Sequence, residues 1–230
     1  MNKLQILFKK DVPEYDYIIN QIKTYEHLLI KEVNYIKYDK IFVESSQSLL
    51  DTVCRITSEA IYAFFKFRVL DLCFKDINLR DYDKYALIGA LLSVDKENEK
   101  KQIYNTIINL KIISLESLMD FRLTRLLKSW NELAELAYKL SKEVNNREEL
   151  YELISYFISG IEKQSRVTIT DTNPINLAID GNVLSPIAFT SDHDINLLIT
   201  VISEGPSHLI IKNQDILSKK LLDTFRALGQ

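Results

Sequence analysis

The chain has 230 residues, 47% of them apolar and 27% charged, which is long enough to bury a substantial core as one large domain or two small ones. A formal net charge of −3 excludes a general electrostatic attraction to nucleic acid or anionic membrane and leaves only a local basic patch for such a role. With five glycines and four prolines there is little to interrupt regular structure, so helices should dominate, and there is no Gly-rich phosphate loop.

The N-terminal KLQILFK alternates as a strand does, placing Leu4, Ile6 and Phe8 on one side. Its LQILF run is too short for the core of a signal peptide. The longest apolar stretch, from Ala60 to Phe74, is interrupted by Lys66, Arg68 and Asp71 and falls short of the roughly 18 apolar residues of a membrane span. A cytoplasmic protein without membrane association is expected. Pro13 suits the first turn of a helix, and Tyr15, Ile18, Ile19 and Ile22 follow at helical spacing. HLLIKEVNYIKYDKIFVES, rich in β-branched and aromatic residues, reads as two strands around Asn34 to Lys40. Residues 1–44 thus form a β-α-β-β segment, after which Ser48 and Asp51 give an N-cap signature.

Residues 45–164 read as a helical bundle. Leu49, Val53, Ile56, Ala60, Ala63, Phe67, Leu70 and Phe74 recur in steps of four and three, the seam of a helix packed along its length and apolar enough elsewhere to be central. On that helix Cys54 and Cys73 stand about 28 Å apart, too far for a disulfide, and read as reduced thiols. DYDKYALIGALLSV and NEKKQIYNTIINLKI are two more helices around a charged break at Asp95 to Glu99. From Ser114 a second long helix repeats the rhythm with Met119, Leu123, Leu126, Trp130, Leu133, Ala137, Leu140 and Val144, and Asn146 with Glu149 resembles a capping box opening a fifth helix.

Residues 165–230 change texture. RVTITDT alternates as a strand, Asn173-Pro174 and Asp180-Gly181 are turn signals with a second strand after the latter, DHDINLLITVISE is helical until Gly205-Pro206, LIIK is a short buried strand, and DILSKKLLDTFRAL closes as a helix. The expected fold is α+β: a central bundle of about five helices flanked by small β-containing segments at both ends. Because two lone small sheets would be marginal, the terminal strands are expected to share one sheet.

The most informative stretch is MDFRLTRLLKSW, where Phe121, Arg122 and Arg125 fall beside the seam and Arg122, Arg125 and Lys128 are spaced by three. Either their stems cover apolar surface while the guanidinium groups pair with acids such as Glu116 or Asp120, or they form an anion-binding patch aided by Arg55, Arg68 or Arg166. Phe67-Arg68 repeats the Phe-Arg pairing and suggests a polar contact shared between two helices. MDFRLTRLLKSW and its long helix, YELISYFISGIEKQ leading into RVTIT, and INLLITVISEGPSHLIIKN together resemble the YtxC-like proteins, a sporulation-associated family of endospore-forming bacteria. Phe121, Arg122 and Leu123 carry its Phe-Arg-Leu motif, and Phe157 and Gln164 its next anchor. Family members often carry a Cys-containing tail, whereas no cysteine follows Cys73 here, so the resemblance lends no thiol or metal role. It implies sporulation, a cytoplasmic setting and no known reaction.

Catalytic patterns are weak. His27, His193 and His208 are far apart, and no CxxC, HExxH or GxSxG spacing occurs. Asp192-His193-Asp194 could ligate a metal but also has the composition of a helix N-terminus. Glu148-Glu149 and Asp81-Asp83 read as solvated charges at helix starts. No catalytic residue, metal or cofactor is expected. The chain reads as a non-enzymatic interaction or scaffold module with a protein partner not identified by the sequence, the oligomeric state being likewise open. The alternative is a nucleic-acid-associated regulator using Arg122, Arg125, Lys128 and Phe121 on a helix spanning 117–144.

Overall fold

Alternation at the N-terminus builds a four-stranded sheet. In the computed structural model, which describes residues 2–160, 165–172 and 175–229, the fold is α+β and divides into two compact units, Met1–Arg68 with Lys96–Trp130 and Val69–Asp95 with Asn131–Gln230. The expected turn at Asn173-Pro174 and the Gln164 anchor lie outside the described residues.

In the first unit, β1 (Asn2–Lys9) is followed by α1 (Pro13–Ile22), β2 (Leu29–Asn34) and β3 (Tyr38–Ser45). The sheet order is β2-β3-β1-β4, with β4 (Ile112–Ser114) parallel to β1 and the other pairs antiparallel. Leu4, Ile6 and Phe8 bury one face together with Ile41 and Val43. α2 (Gln47–Ala60) contacts β1, β3, α1 and α5 (Lys96–Ile107). It continues through a π-helical turn, Ile61–Phe65, into α3 (Lys66–Cys73). The expected seam is there, with Val53, Ile56, Ala60, Ala63 and Phe67 buried. The cap is Ser46 rather than Ser48, and Asp51 instead accepts from Gln47 Nε2 at 2.9 Å. The break before α5 is shorter than expected, and Glu99 is buried inside the helix.

In the second unit, α4 (Asp81–Ser93) is buried at every residue from Ala86 to Ser93, as a helix apolar all round must be. It packs on α8 (Arg147–Ser159), α9 (His193–Ser203) and α10 (Lys219–Ala227). The α9 contact is close at Gly89, where an added Cβ would lie 3.0 Å from Ile202 Cβ and 3.2 Å from the Ile199 carbonyl oxygen. The second sheet runs β7-β6-β5-β8, from β5 (Ser165–Ile169), β6 (Leu177–Ile179), β7 (Asn182–Leu184) and β8 (Pro206–Ile211). β6 and β7 join at Asp180-Gly181, both with positive φ (48° and 89°), the geometry a two-residue type I′ hairpin requires.

The expected joint sheet does not form. β4, hidden in a stretch read as helix, gives the N-terminal sheet a fourth strand, and β8 closes the C-terminal sheet by pairing parallel to β5. Each sheet therefore reaches a workable width within its own unit. β8 is an edge strand with Ile210 exposed, not a short buried one. The helices outnumber the five expected and are shared between the two units.

Candidate functional site

The stretch around MDFRLTRLLKSW is not one helix. α6 (Leu115–Ser117) runs into a second π-helical turn, Leu118–Arg122, and Leu123 leaves helical geometry (φ −107°, ψ 18°) before α7 (Thr124–Glu143) begins. Leu123 N donates to Leu118 O at 2.8 Å, a five-residue step that keeps Met119, Leu123 and Leu126 buried. Phe121 is 80% exposed, and Arg122, Arg125 and Lys128 are exposed too. The spacing of three is thus interrupted at Leu123, with Arg122 closing the turn while Arg125 and Lys128 lie on α7. Among the described residues, neither Arg122 nor Arg125 forms the ion pair with Glu116 or Asp120 that the sequence suggested. In the other Phe-Arg pair, Phe67 is buried and Arg68 pairs with the buried Glu14. Arg55 stacks over Tyr104 at 5.3 Å.

Asp192 is a helix cap, its side chain accepting from Asp194 N at 2.9 Å and Ile195 N at 3.1 Å. Among the described residues no His, Cys, Asp and Glu cluster could hold a metal. Cys54 and Cys73 are free thiols, buried and half-buried, and burial pushes the Cys54 thiol up to about 11. Asn146 accepts from Glu149 N at 3.0 Å, completing one half of the expected capping box.

Asp83 departs from its reading as a solvated charge. It is buried and accepts from Tyr151 Oη at 2.7 Å and Arg147 Nε at 3.0 Å. Burial and the bond to Asp83 push Tyr151 up to about 12, which keeps it a neutral donor. In the first unit Lys66, wholly buried, lies 2.6 Å from Glu99. These polar groups face inward and hold helices together.

The opposite situation holds on the uncovered face of the first sheet. Because side chains alternate, Lys3, Gln5, Leu7 and Lys9 of β1 point away from the core face. Register then sets three cross-strand rows: Leu29, Glu44 and Lys3; Lys31, Phe42, Gln5 and Ile112; Val33, Lys40, Leu7 and Ser114. Tyr38 stands opposite Lys9 beyond them. Leu29 is 59% and Ile112 56% exposed, and Leu7, Val33 and Phe42 are half-buried. Lys40 Nζ lies 4.6 Å over the Phe42 ring, and Lys3 pairs with Glu44 at 3.3 Å. One end opens into a groove of about 340 Å³ lined by Leu29, Lys31, Phe42, Glu44, Lys3 and Gln5. At the β2-β3 tip Ile36 is 96% exposed beside the stacked rings of Tyr35 and Tyr38. The sequence reading missed this face, although Tyr38, Lys40 and Phe42 alternate with Ile41 and Val43 and so announce a strand with two apolar sides.

Compared with known proteins, the chain matches no family model, no curated protein and no solved structure. Among the described residues no helix is long and apolar enough to cross a membrane.

Proposed function

We propose that the chain is a non-enzymatic docking module that holds a protein partner on the uncovered face of its N-terminal sheet, and that it serves the sporulation programme to which its YtxC-like features point. The observation that carries this reading is the row structure of that face, where Leu29, Phe42, Leu7, Val33 and Ile112 stand diagonally across the strands, interspersed with lysines. Exposed apolar patches among polar residues mark interaction sites. The test is affinity purification of the tagged chain from sporulating cells, with and without nuclease, beside a Leu7→Ser/Phe42→Ser/Ile112→Ser variant checked for fold by circular dichroism. A nuclease-resistant partner lost only in the variant supports docking on this face; a partner retained by the folded variant refutes it.

A second reading rests on the exposure of Arg122, Arg125, Lys128 and Phe121. Salt-sensitive binding of DNA or RNA, abolished when the three cations become Ala, supports a nucleic-acid role. Lack of binding by the unaltered chain at low salt ends it.

A further inference from the structure

We infer that the segment recognised by the sheet face is an acidic, amphipathic stretch of the partner protein, its apolar side chains lying on Leu7, Val33 and Phe42 and its carboxylates meeting Lys9, Lys31 and Lys40. This rests on the docking reading and adds the chemistry of the occupant. The chain as a whole is acidic, with 32 Asp and Glu against 29 Lys and Arg, yet the cross-strand rows place Lys3, Lys9, Lys31 and Lys40 on this face against Glu44 alone. Lys3 already takes up Glu44, and among the described residues Lys9 and Lys31 pair with no acid. A local excess of positive charge among apolar side chains selects a segment of complementary charge and steers its approach. The lysine stems widen the apolar surface while their ammonium groups stay in water to meet carboxylates.

The same face fits nucleic acid less well. Aliphatic side chains make up most of the apolar residues on this face, whereas single-strand binding relies on successive aromatic faces for base stacking. Addition of a strand to the β2 edge is also disfavoured. Lys31 and Glu32 stand in the middle of that edge, the kind of charge that blunts edge pairing. The occupant therefore lies across the strands rather than beside them.

The test uses the full tagged chain in extract of sporulating cells, treated with a carbodiimide that joins a lysine amine to a carboxylate in direct contact, followed by peptide mass spectrometry. The expected result is that Lys9, Lys31 or Lys40 is joined to Asp or Glu of one partner protein. Capture of that partner should fall at least about ten-fold in Lys9→Glu/Lys31→Glu/Lys40→Glu, where like charges now oppose. These lysines are surface groups, so the variant folds, and circular dichroism verifies it. Loss of the partner in the apolar serine variant with retention in the lysine variant overturns the acidic chemistry and leaves docking standing. Retention in both overturns docking as well. Absence of lysine-carboxylate links to any protein, or release of all captured material by nuclease, overturns the inference, the latter in favour of nucleic acid.

Discussion

Lys66 Nζ and Glu99 Oε2 stand 2.6 Å apart with the lysine side chain wholly removed from solvent. The lysine follows directly on the π-helical turn Ile61–Phe65, and its ammonium also lies 5.0 Å from the Tyr62 ring. Removing one member of a buried ion pair costs about 3–5 kcal/mol, whereas replacing both with apolar residues is often neutral. Lys66→Met should lower the unfolding free energy measured by urea titration by that much, and Lys66→Met/Glu99→Leu should recover most of it. A double-mutant cycle with no coupling energy would show that the pair does not hold the start of α3 to α5.

Gly89→Ala tests the approach of α4 and α9. On helix propensity alone the substitution favours folding by about 1 kcal/mol. Here the new methyl group meets Ile202 Cβ at 3.0 Å and the Ile199 carbonyl oxygen at 3.2 Å, and neither atom is the end of a flexible side chain. Overpacking of this kind costs about 1–3 kcal/mol. The melting temperature should therefore fall, and a rise would mean that the helices can separate at no cost.

Tyr151 sets a limit on stability at high pH. Burial first, and then its hydrogen bond to Asp83, push it up to about 12 from an ordinary value near 10. The folded state holds this proton where the unfolded chain has released it. The stabilisation is complete below about pH 10 and is lost as pH rises toward about 12. Tyr151→Phe loses bonds to Asp83 and Arg147 and is less stable at neutral pH. Denaturant midpoints measured from pH 9 upward should nevertheless decline less steeply in the variant than in the unaltered chain; equal slopes would show that this tyrosine is not the group responsible.

Legibility in the sequence followed the reach of local periodicity. Leu4, Ile6 and Phe8 marked a strand, Val53 to Phe67 a buried seam, and Asp180-Gly181 a hairpin, because each signal lies within one element or one turn. β4 has only three residues, Ile112–Ser114, and owes its existence to pairing with β1, a contact that leaves no periodic trace. The π-helical turn Leu118–Arg122 changes the phase of the helix while leaving the apolar spacing nearly intact, so the spacing alone predicts one helix where α6 and α7 are separate. The uncovered sheet face was hidden for the same reason as β4. Leu7, Phe42 and Ile112 are far apart in the chain and meet only through register.

Two Phe-Arg pairs that look alike in the sequence should behave in opposite ways. Arg122 is exposed, so Arg122→Met should change stability by no more than about 0.5 kcal/mol, as surface substitutions do. Arg68 is 44% exposed along its side chain but pairs with Glu14, which is 1% exposed. The other oxygen of that carboxylate, Oε2, is buried without a hydrogen-bond partner. Arg68→Met leaves the whole carboxylate uncompensated in the first unit, and the loss should approach the roughly 3 kcal/mol of a broken buried pair. Arg68→Met/Glu14→Gln should restore part of it, since a neutral amide is cheaper to bury than a charge. Urea titrations of the three variants distinguish the cases: equal midpoints for Arg68→Met and Arg122→Met would show that Glu14 finds compensation elsewhere.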